Sequence, residues 1–151
     1  MPRMIWSELS QLQLGKYAEY LMKMEFLSYG FDVFNTEIDD KGVDFVIKSG
    51  SGKFYEMQVK SSRDLNYVFM RKDKFDINNE SLILVLALFE DNKMPDVFLI
   101  PAIEWKSPNN LLKDKDYEGL KSKPEWGINL SQKNLGLLNQ YSIDIMMNKF
   151  K

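Results

Sequence analysis

The 151-residue sequence contains no cysteine and no histidine. Without cysteine, neither a disulfide framework nor a thiolate metal site can form, which is compatible with a reducing compartment. Without histidine, the chain can hold no Ser-His-Asp triad, Cys-His pair, HExxH zinc site or histidine general base. We therefore expect any catalysis to rest on carboxylates, amides, lysine or tyrosine, together with a hard cation.

Long hydrophobic runs and a strong net charge are also absent. The longest apolar stretch covers residues 82–89, whereas a transmembrane helix needs about 20 residues. The first residues carry an early charge and no long apolar run, so we find no secretory signal and expect a cytoplasmic protein. The net charge of −2 and the pI of about 5.3 give no global basic field, so affinity for nucleic acid cannot be predicted from total charge.

The composition is that of a chain with a substantial core. Hydrophobic residues make up 44% of the sequence and aromatic residues 13%, which suffices for one compact domain of this length. No domain boundary, internal repeat or low-complexity segment is visible. We therefore expect a single domain over residues 1–151.

The first half of the sequence predicts a helix followed by three strands. Apolar residues recur at three- and four-residue spacing from Leu9 to Tyr29, and Gly30 supplies a helix stop. Strands are predicted at 31–36, 43–48 and 54–60, with a tight turn at 39–42. A flexible loop at 49–53 makes the last two strands a hairpin.

The second half predicts two more strands and a helix. The uninterrupted β-favouring run at 82–89 is typical of a central strand buried on both faces, and a turn at 91–95 joins it to a strand at 96–101. Residues 106–127 are polar and aperiodic, which predicts a long surface excursion before a helix opened by Ser131. The expected fold class is α/β (α+β), with a mixed sheet covered by helices.

Polar side chains line one face of the strand at 54–60. Because side chains alternate along a strand, Glu56, Gln58 and Lys60 share a face. Asp44 lies among apolar residues of the preceding strand, an unfavourable place for a carboxylate without a cation or donors nearby. A hairpin brings Asp44 close to Gln58 and Lys60, so a carboxylate, an amide oxygen and an ammonium group converge. This combination indicates a metal site.

These motifs resemble a known family. The sequence resembles the PD-(D/E)XK nuclease superfamily, in variants such as the Mrr-like restriction endonucleases where glutamine replaces the second acid. The resemblance lies in two segments joined by a glycine-bearing loop: Gly42-Val43-Asp44-Phe45-Val46-Ile47 and Met57-Gln58-Val59-Lys60-Ser61-Ser62. Gly15-Lys16-Tyr17-Ala18-Glu19 matches the position of an additional acid on the first helix. The resemblance implies a restriction-endonuclease-like fold, with a helix, three strands, a helix and a further strand forming a mixed central sheet of about five strands flanked by helices.

The resemblance also implies a metal-dependent endonuclease that hydrolyses DNA phosphodiesters with Mg²⁺ or Mn²⁺. Such a hard cation prefers oxygen ligands. Asp44 would bind it directly, the Gln58 side-chain oxygen and the Val59 carbonyl would complete the protein's share, and Glu19 would contact a water of the cation. Lys60 would orient the attacking hydroxide or offset charge on the phosphate. The implied catalytic residues are Asp44, Gln58, Lys60 and Glu19.

Each of these residues also has an interpretation in which it plays no catalytic role. Glu19 has the spacing to form helix ion pairs with Lys16 and Lys23. Asp44 could accept backbone donors in the adjoining turn. Gln58 and Lys60 could be polar residues on a solvated sheet face. Gln58 in place of an acid removes one negative charge, which Glu56 on the same face would partly restore.

The function therefore has alternatives at this stage. One is a catalytically degenerate nuclease-fold module that binds nucleic acid or a protein partner, and another is a small interaction protein that shares the architecture. Residues 41–74 carry a formal charge of +4, but the balance falls to +1 once Asp39, Asp40 and Asp76 are included. The charge pattern gives weak support for phosphate contact. DNA is preferred to RNA as the partner, and a homodimer remains open.

Overall fold

A computed structural model describes residues 1–38 and 41–151. Eight strands form two sheets: β1 (Asp32–Asn35), β2 (Phe45–Lys48), β3 (Phe54–Ser62), β4 (Tyr67–Arg71), β5 (Leu82–Leu88), β6 (Asp96–Pro101), β7 (Leu112–Lys115) and β8 (Glu125–Asn129). The main sheet has the order β1-β2-β3-β5-β6, and a second sheet has the order β4-β8-β7. In the main sheet β3 and β5 are parallel and the other neighbours antiparallel. The predicted mixed sheet of five strands is thus confirmed.

The long helix α1 (Gln11–Ser28) covers one face of the main sheet. It begins with a capping box, in which Ser10 Oγ accepts from the Gln13 N–H and the Gln13 side chain accepts from the Ser10 N–H. It ends just before Gly30, whose φ of +88° is the left-handed conformation that glycine tolerates. In the described part of the chain, no helix is long and apolar enough to cross a membrane.

The two faces of the main sheet have different covers. Phe45 in β2 contacts Phe26 of α1, and Tyr55 in β3 contacts Phe150 near the C-terminus, with ring centroids 6.0 Å and 5.0 Å apart. On the opposite face Trp105 packs against Phe75 and donates its indole N–H to the Gly127 carbonyl of the second sheet, at 3.0 Å. Strand β5 is enclosed between these layers, with Leu82 to Ala87 buried, as predicted for a central strand.

Three sequence predictions are wrong in detail. The resemblance implied a helix between the third strand and the next strand of the main sheet, but residues 63–81 contain β4 and a 3-10 turn at Lys72–Lys74. The predicted excursion at 106–127 contains β7 and the first part of β8. The predicted C-terminal helix is a 3-10 turn followed by the four-residue helices α2 (Leu135–Leu138) and α3 (Ile143–Met146), and the Ser131 side chain makes no capping hydrogen bond.

The reason lies in tertiary contacts that override weak local patterns. Tyr67 to Met70 have β-favouring side chains without helical spacing. Strand β7 is short and polar, and its Asp114 forms an ion pair with Lys72, 42 residues earlier in the chain. The predicted turn at 39–42 includes Asp39 and Asp40, which lie outside the described residues.

Candidate active site

Asp44 lies immediately before β2, beside the middle of β3. Its backbone N–H donates to the Met57 carbonyl at 2.8 Å, and its Oδ2 accepts the Val59 N–H at 2.7 Å. The Thr36 hydroxyl lies 3.2 Å from the Asp44 carbonyl and steadies the same segment. Strand β2 begins at Phe45, two residues later than the predicted start at Val43. The Asp44 carboxylate accepts the Val59 N–H in place of a backbone carbonyl. Asp44 thus accepts a backbone donor from β3.

Gln58 lies opposite Asp44, because the antiparallel register pairs Phe45 with Met57. Its side chain is buried, with 6% exposure, and its Oε1 has no hydrogen-bond partner among the described residues. A buried polar atom without a partner costs about 1–3 kcal/mol. The Gln58 amide oxygen is therefore a buried acceptor that a bound ligand could satisfy.

Gly42 gives the chain its close approach to Gln58. Its φ is +79°, and a Cβ at this position would lie 3.4 Å from Gln58 Oε1 and 3.0 Å from the Lys74 carbonyl oxygen. Any larger residue would crowd the amide oxygen and would also adopt an unfavourable backbone conformation. The sequence placed Gly42 in a turn and gave no sign of this contact.

Lys60 and Glu56 lie on either side of Gln58 along the same face of β3. Each is about 6.6 Å away along the strand, given the usual rise per residue. The Asp44 carboxylate contacts the Val59 N–H, on the Lys60 side of Gln58. Glu56 lies on the other side, where its carboxylate accepts from Asn79 Nδ2 at 2.5 Å. Glu56 is therefore not placed to replace the charge that Gln58 lacks.

Glu19 lies on α1, across the sheet from Gln58. Its carboxylate is only 15% exposed and contacts Lys16 at 3.4 Å and Lys23 at 3.1 Å. The Glu19 charge raises the pKa of Lys16 above its usual value, and the Asp44 charge adds in the same direction. Both predicted ion pairs of Glu19 are present.

The oxygen atoms at this edge fit a hard cation. Asp44 and Gln58 occupy opposing positions when the β2–β3 register is extended by one residue, and the Val59 carbonyl points to the same side of β3 as its N–H. Mg²⁺ prefers such oxygen ligands and keeps several waters, and a cation would satisfy the partnerless Gln58 oxygen. Among residues 1–38 and 41–151 no three carboxylates form a group that could hold a metal. From the described residues, a cation held here would take the Asp44 carboxylate and neutral oxygens as its ligands.

No protein-family model and no curated protein matches the sequence. The structure is similar to that of Hjc, a Holliday junction resolvase from the hyperthermophilic archaeon Archaeoglobus fulgidus, with a TM-score of 0.55 and 14% identity over 89% of this chain and 93% of that one. It is also similar to a bacterial homing endonuclease, with a TM-score of 0.55 and 17% identity over 93% of this chain and 94% of that one. The chain therefore has the restriction-endonuclease-like fold of the PD-(D/E)XK nucleases.

Proposed function

We propose that this protein is a metal-dependent nuclease domain that hydrolyses DNA phosphodiesters. The observation that carries the proposal is the Asp44 carboxylate, which accepts the Val59 N–H, at the strand position that faces Gln58. The buried Gln58 side-chain oxygen has no hydrogen-bond partner among the described residues. Lys60 lies two residues farther on the same face. Two of the similar solved structures are a Holliday junction resolvase and a homing endonuclease, which supports DNA as the substrate.

The residues of the candidate site would have different roles in hydrolysis. Asp44, Gln58 and the Val59 carbonyl would hold Mg²⁺ or Mn²⁺, which supplies Lewis-acid polarisation of a phosphoryl oxygen. The Lys60 ammonium donates a hydrogen bond to the attacking water or to the phosphate as negative charge develops. Glu19 on α1 would contact a water of the cation and not the cation itself, and its two lysine contacts hold it in place.

Replacing Lys60 by alanine should lower the cleavage rate by about a hundredfold or more, because a positioned charge near the phosphate is lost. The measurement is the rate of cleavage of labelled DNA substrates in Mg²⁺ and in Mn²⁺. Lys113→Ala is the matched control, since Lys113 is another partly buried strand lysine, in β7 of the second sheet. A Lys60→Ala protein that cleaves as fast as the Lys113→Ala protein would refute the role of Lys60.

A second function has specific support. The described residues contain no group of three carboxylates suited to a metal, and Gln58 takes the place of the second acid of the PD-(D/E)XK pattern. These features favour a degenerate nuclease-fold module that binds nucleic acid or a protein partner without cleaving it. The two functions differ in whether position 58 still contributes to a cation site.

Replacing Gln58 by glutamate separates these functions. If the cation site is intact, the added charge should raise Mn²⁺ affinity about tenfold, because a carboxylate replaces a neutral oxygen ligand. Without a cation the variant should melt at a lower temperature than wild type, since two carboxylates then face each other in a buried place. Calorimetric titration and thermal unfolding with and without chelator measure both effects, with the exposed Gln132→Glu as control. If neither wild type nor Gln58→Glu binds a cation, alone or with DNA, the non-catalytic module is the better description.

A further inference from the structure

Two partly exposed phenylalanine rings contact each other on one face of the main sheet. Phe34 in β1 is 47% exposed and Phe54 in β3 is 50% exposed, and their ring centroids are 6.2 Å apart. Neither ring belongs to the hydrophobic core. A pair of large aromatic side chains left in water at one place is a candidate binding surface.

The ring pair is on the same face of the sheet as the candidate active site. Phe54, Gln58 and Lys60 are separated by even numbers of residues along β3, so their side chains project from one face. Phe34 reaches this face too, because its ring contacts that of Phe54. From strand spacing and rise, both phenylalanines are about 12–13 Å from Gln58, or about three to four stacked nucleotides at ~3.4 Å each.

The charges around the ring pair suit a phosphate chain. Residues 45–55 of the β2–β3 hairpin include Lys48 and Lys53 and no carboxylate. The Lys48 ammonium lies 5.4 Å from the centre of the Phe54 ring. Among the described residues, Asp32 is opposite Lys48 in the register, and the Glu56 carboxylate accepts from Asn79.

We propose that Phe34 and Phe54 form a stacking platform for an unpaired base, with Lys48 contacting the phosphate of that nucleotide. Aromatic side chains bind bases through their faces, which is worth about 1–3 kcal/mol per base. In an intact duplex both faces of a base are covered by its neighbours, so the platform selects single-stranded or unpaired DNA. This inference rests on the proposed function, in which Gln58 and Lys60 act a few nucleotides away.

The exposed area is too small to be a stable interface with a second copy of this chain. A phenylalanine side chain buries about 150–250 Å² when fully enclosed, so two half-exposed rings offer about 200 Å². A stable interface takes about 800 Å² from each partner. One or two stacked bases fit the ring pair, and the lysines account for the phosphates.

The test is binding of a single-stranded oligonucleotide containing 2-aminopurine, with chelator present so that cleavage does not interfere. Phe34→Ala and Phe54→Ala should each weaken binding by about tenfold or more and reduce the stacking-dependent quenching of the probe. Lys48→Glu should weaken binding while leaving both rings in place. Phe69→Ala is the matched control, because Phe69 is 51% exposed but lies in β4 of the second sheet, and it should bind within about twofold of wild type. Circular dichroism checks that each variant is folded.

Three results would overturn the platform: wild-type affinity in both Phe34→Ala and Phe54→Ala, an equal loss in Phe69→Ala, or equal affinity of wild type for single-stranded and fully paired DNA. Concentration-dependent dimerisation that the Phe variants abolish would also overturn it in favour of a second copy. The nuclease proposal fails separately. Cleavage by wild type with unchanged binding in the Phe variants removes only the platform, whereas ring-dependent binding without cleavage of any DNA substrate removes only the catalysis.

Discussion

Replacing Asp44 by asparagine should leave the protein folded and lower its DNA-cleavage rate by at least about a thousandfold. The asparagine side-chain oxygen can still accept the Val59 N–H, the contact that Asp44 Oδ2 makes at 2.7 Å. The negative charge of Asp44, which occupies the strand position opposite Gln58, is however lost. The measurement is cleavage together with Mn²⁺ titration of wild type and variant.

Asp44→Ala is the informative companion variant. Alanine removes the acceptor of the Val59 N–H as well as the charge, which should cost about 1–3 kcal/mol of folding free energy and lower the melting temperature by about 2–4 °C for each kcal/mol. Asp144→Asn, at an exposed position in the first turn of α3, is the control for loss of charge alone. An Asp44→Asn protein that binds Mn²⁺ and cleaves DNA as wild type does would refute the assigned cation site.

The position of Asp44 opposite Gln58 could be predicted because the geometry of paired strands determines it. A two-residue period and a short loop between β2 and β3 leave few registers, and burial of Phe45, Tyr55 and Met57 selects one of them. Helix α1 could also be predicted from the sequence, since its apolar spacing and the stop at Gly30 are local signals. These are the parts of the site that depend on residues near each other in sequence.

The remaining parts depend on contacts between distant residues. Nothing local to Gly42 shows that it approaches Gln58, because the Lys74 carbonyl that completes the contact comes from a turn 32 residues later. The strands of the second sheet were not predicted for the same reason. Their hydrophobic alternation is weak, and their pairing depends on contacts between residues far apart in the sequence, such as the Lys72 ion pairs with Asp114 and Asp116.

Gly127 shows how strongly such a contact can constrain the sequence. It lies in the central strand of the second sheet, between Phe69 of β4 and Lys113 of β7. A Cβ here would lie 1.8 Å from the Tyr67 hydroxyl oxygen and 2.1 Å from the ring carbon that bears it. Burial first, and then the Glu125 carboxylate, raise the pKa of the Tyr67 phenol. The tyrosine ring thus fills the space that a side chain at position 127 would need.

Gly127→Ala should therefore destabilise the protein by about 2–3 kcal/mol, a fall in melting temperature of about 5–10 °C for a chain of this size. The ring must swing away, which also removes its contact with the Lys115 ammonium at 4.0 Å from the ring centroid. In the Tyr67→Ala background the same substitution should cost almost nothing, since the clashing atoms are gone, and a double-mutant cycle measures that coupling.

Gly136→Ala is the matched control for this prediction, because no atom lies within 4 Å of a Cβ at that helical position. There the lower entropy of the unfolded chain and the better helix propensity should stabilise the protein by up to about 1 kcal/mol. The two glycine substitutions are thus expected to have opposite signs. Equal melting temperatures for Gly127→Ala and wild type would mean that the Tyr67 ring does not lie over the strand, and the packing of the second sheet would have to be revised.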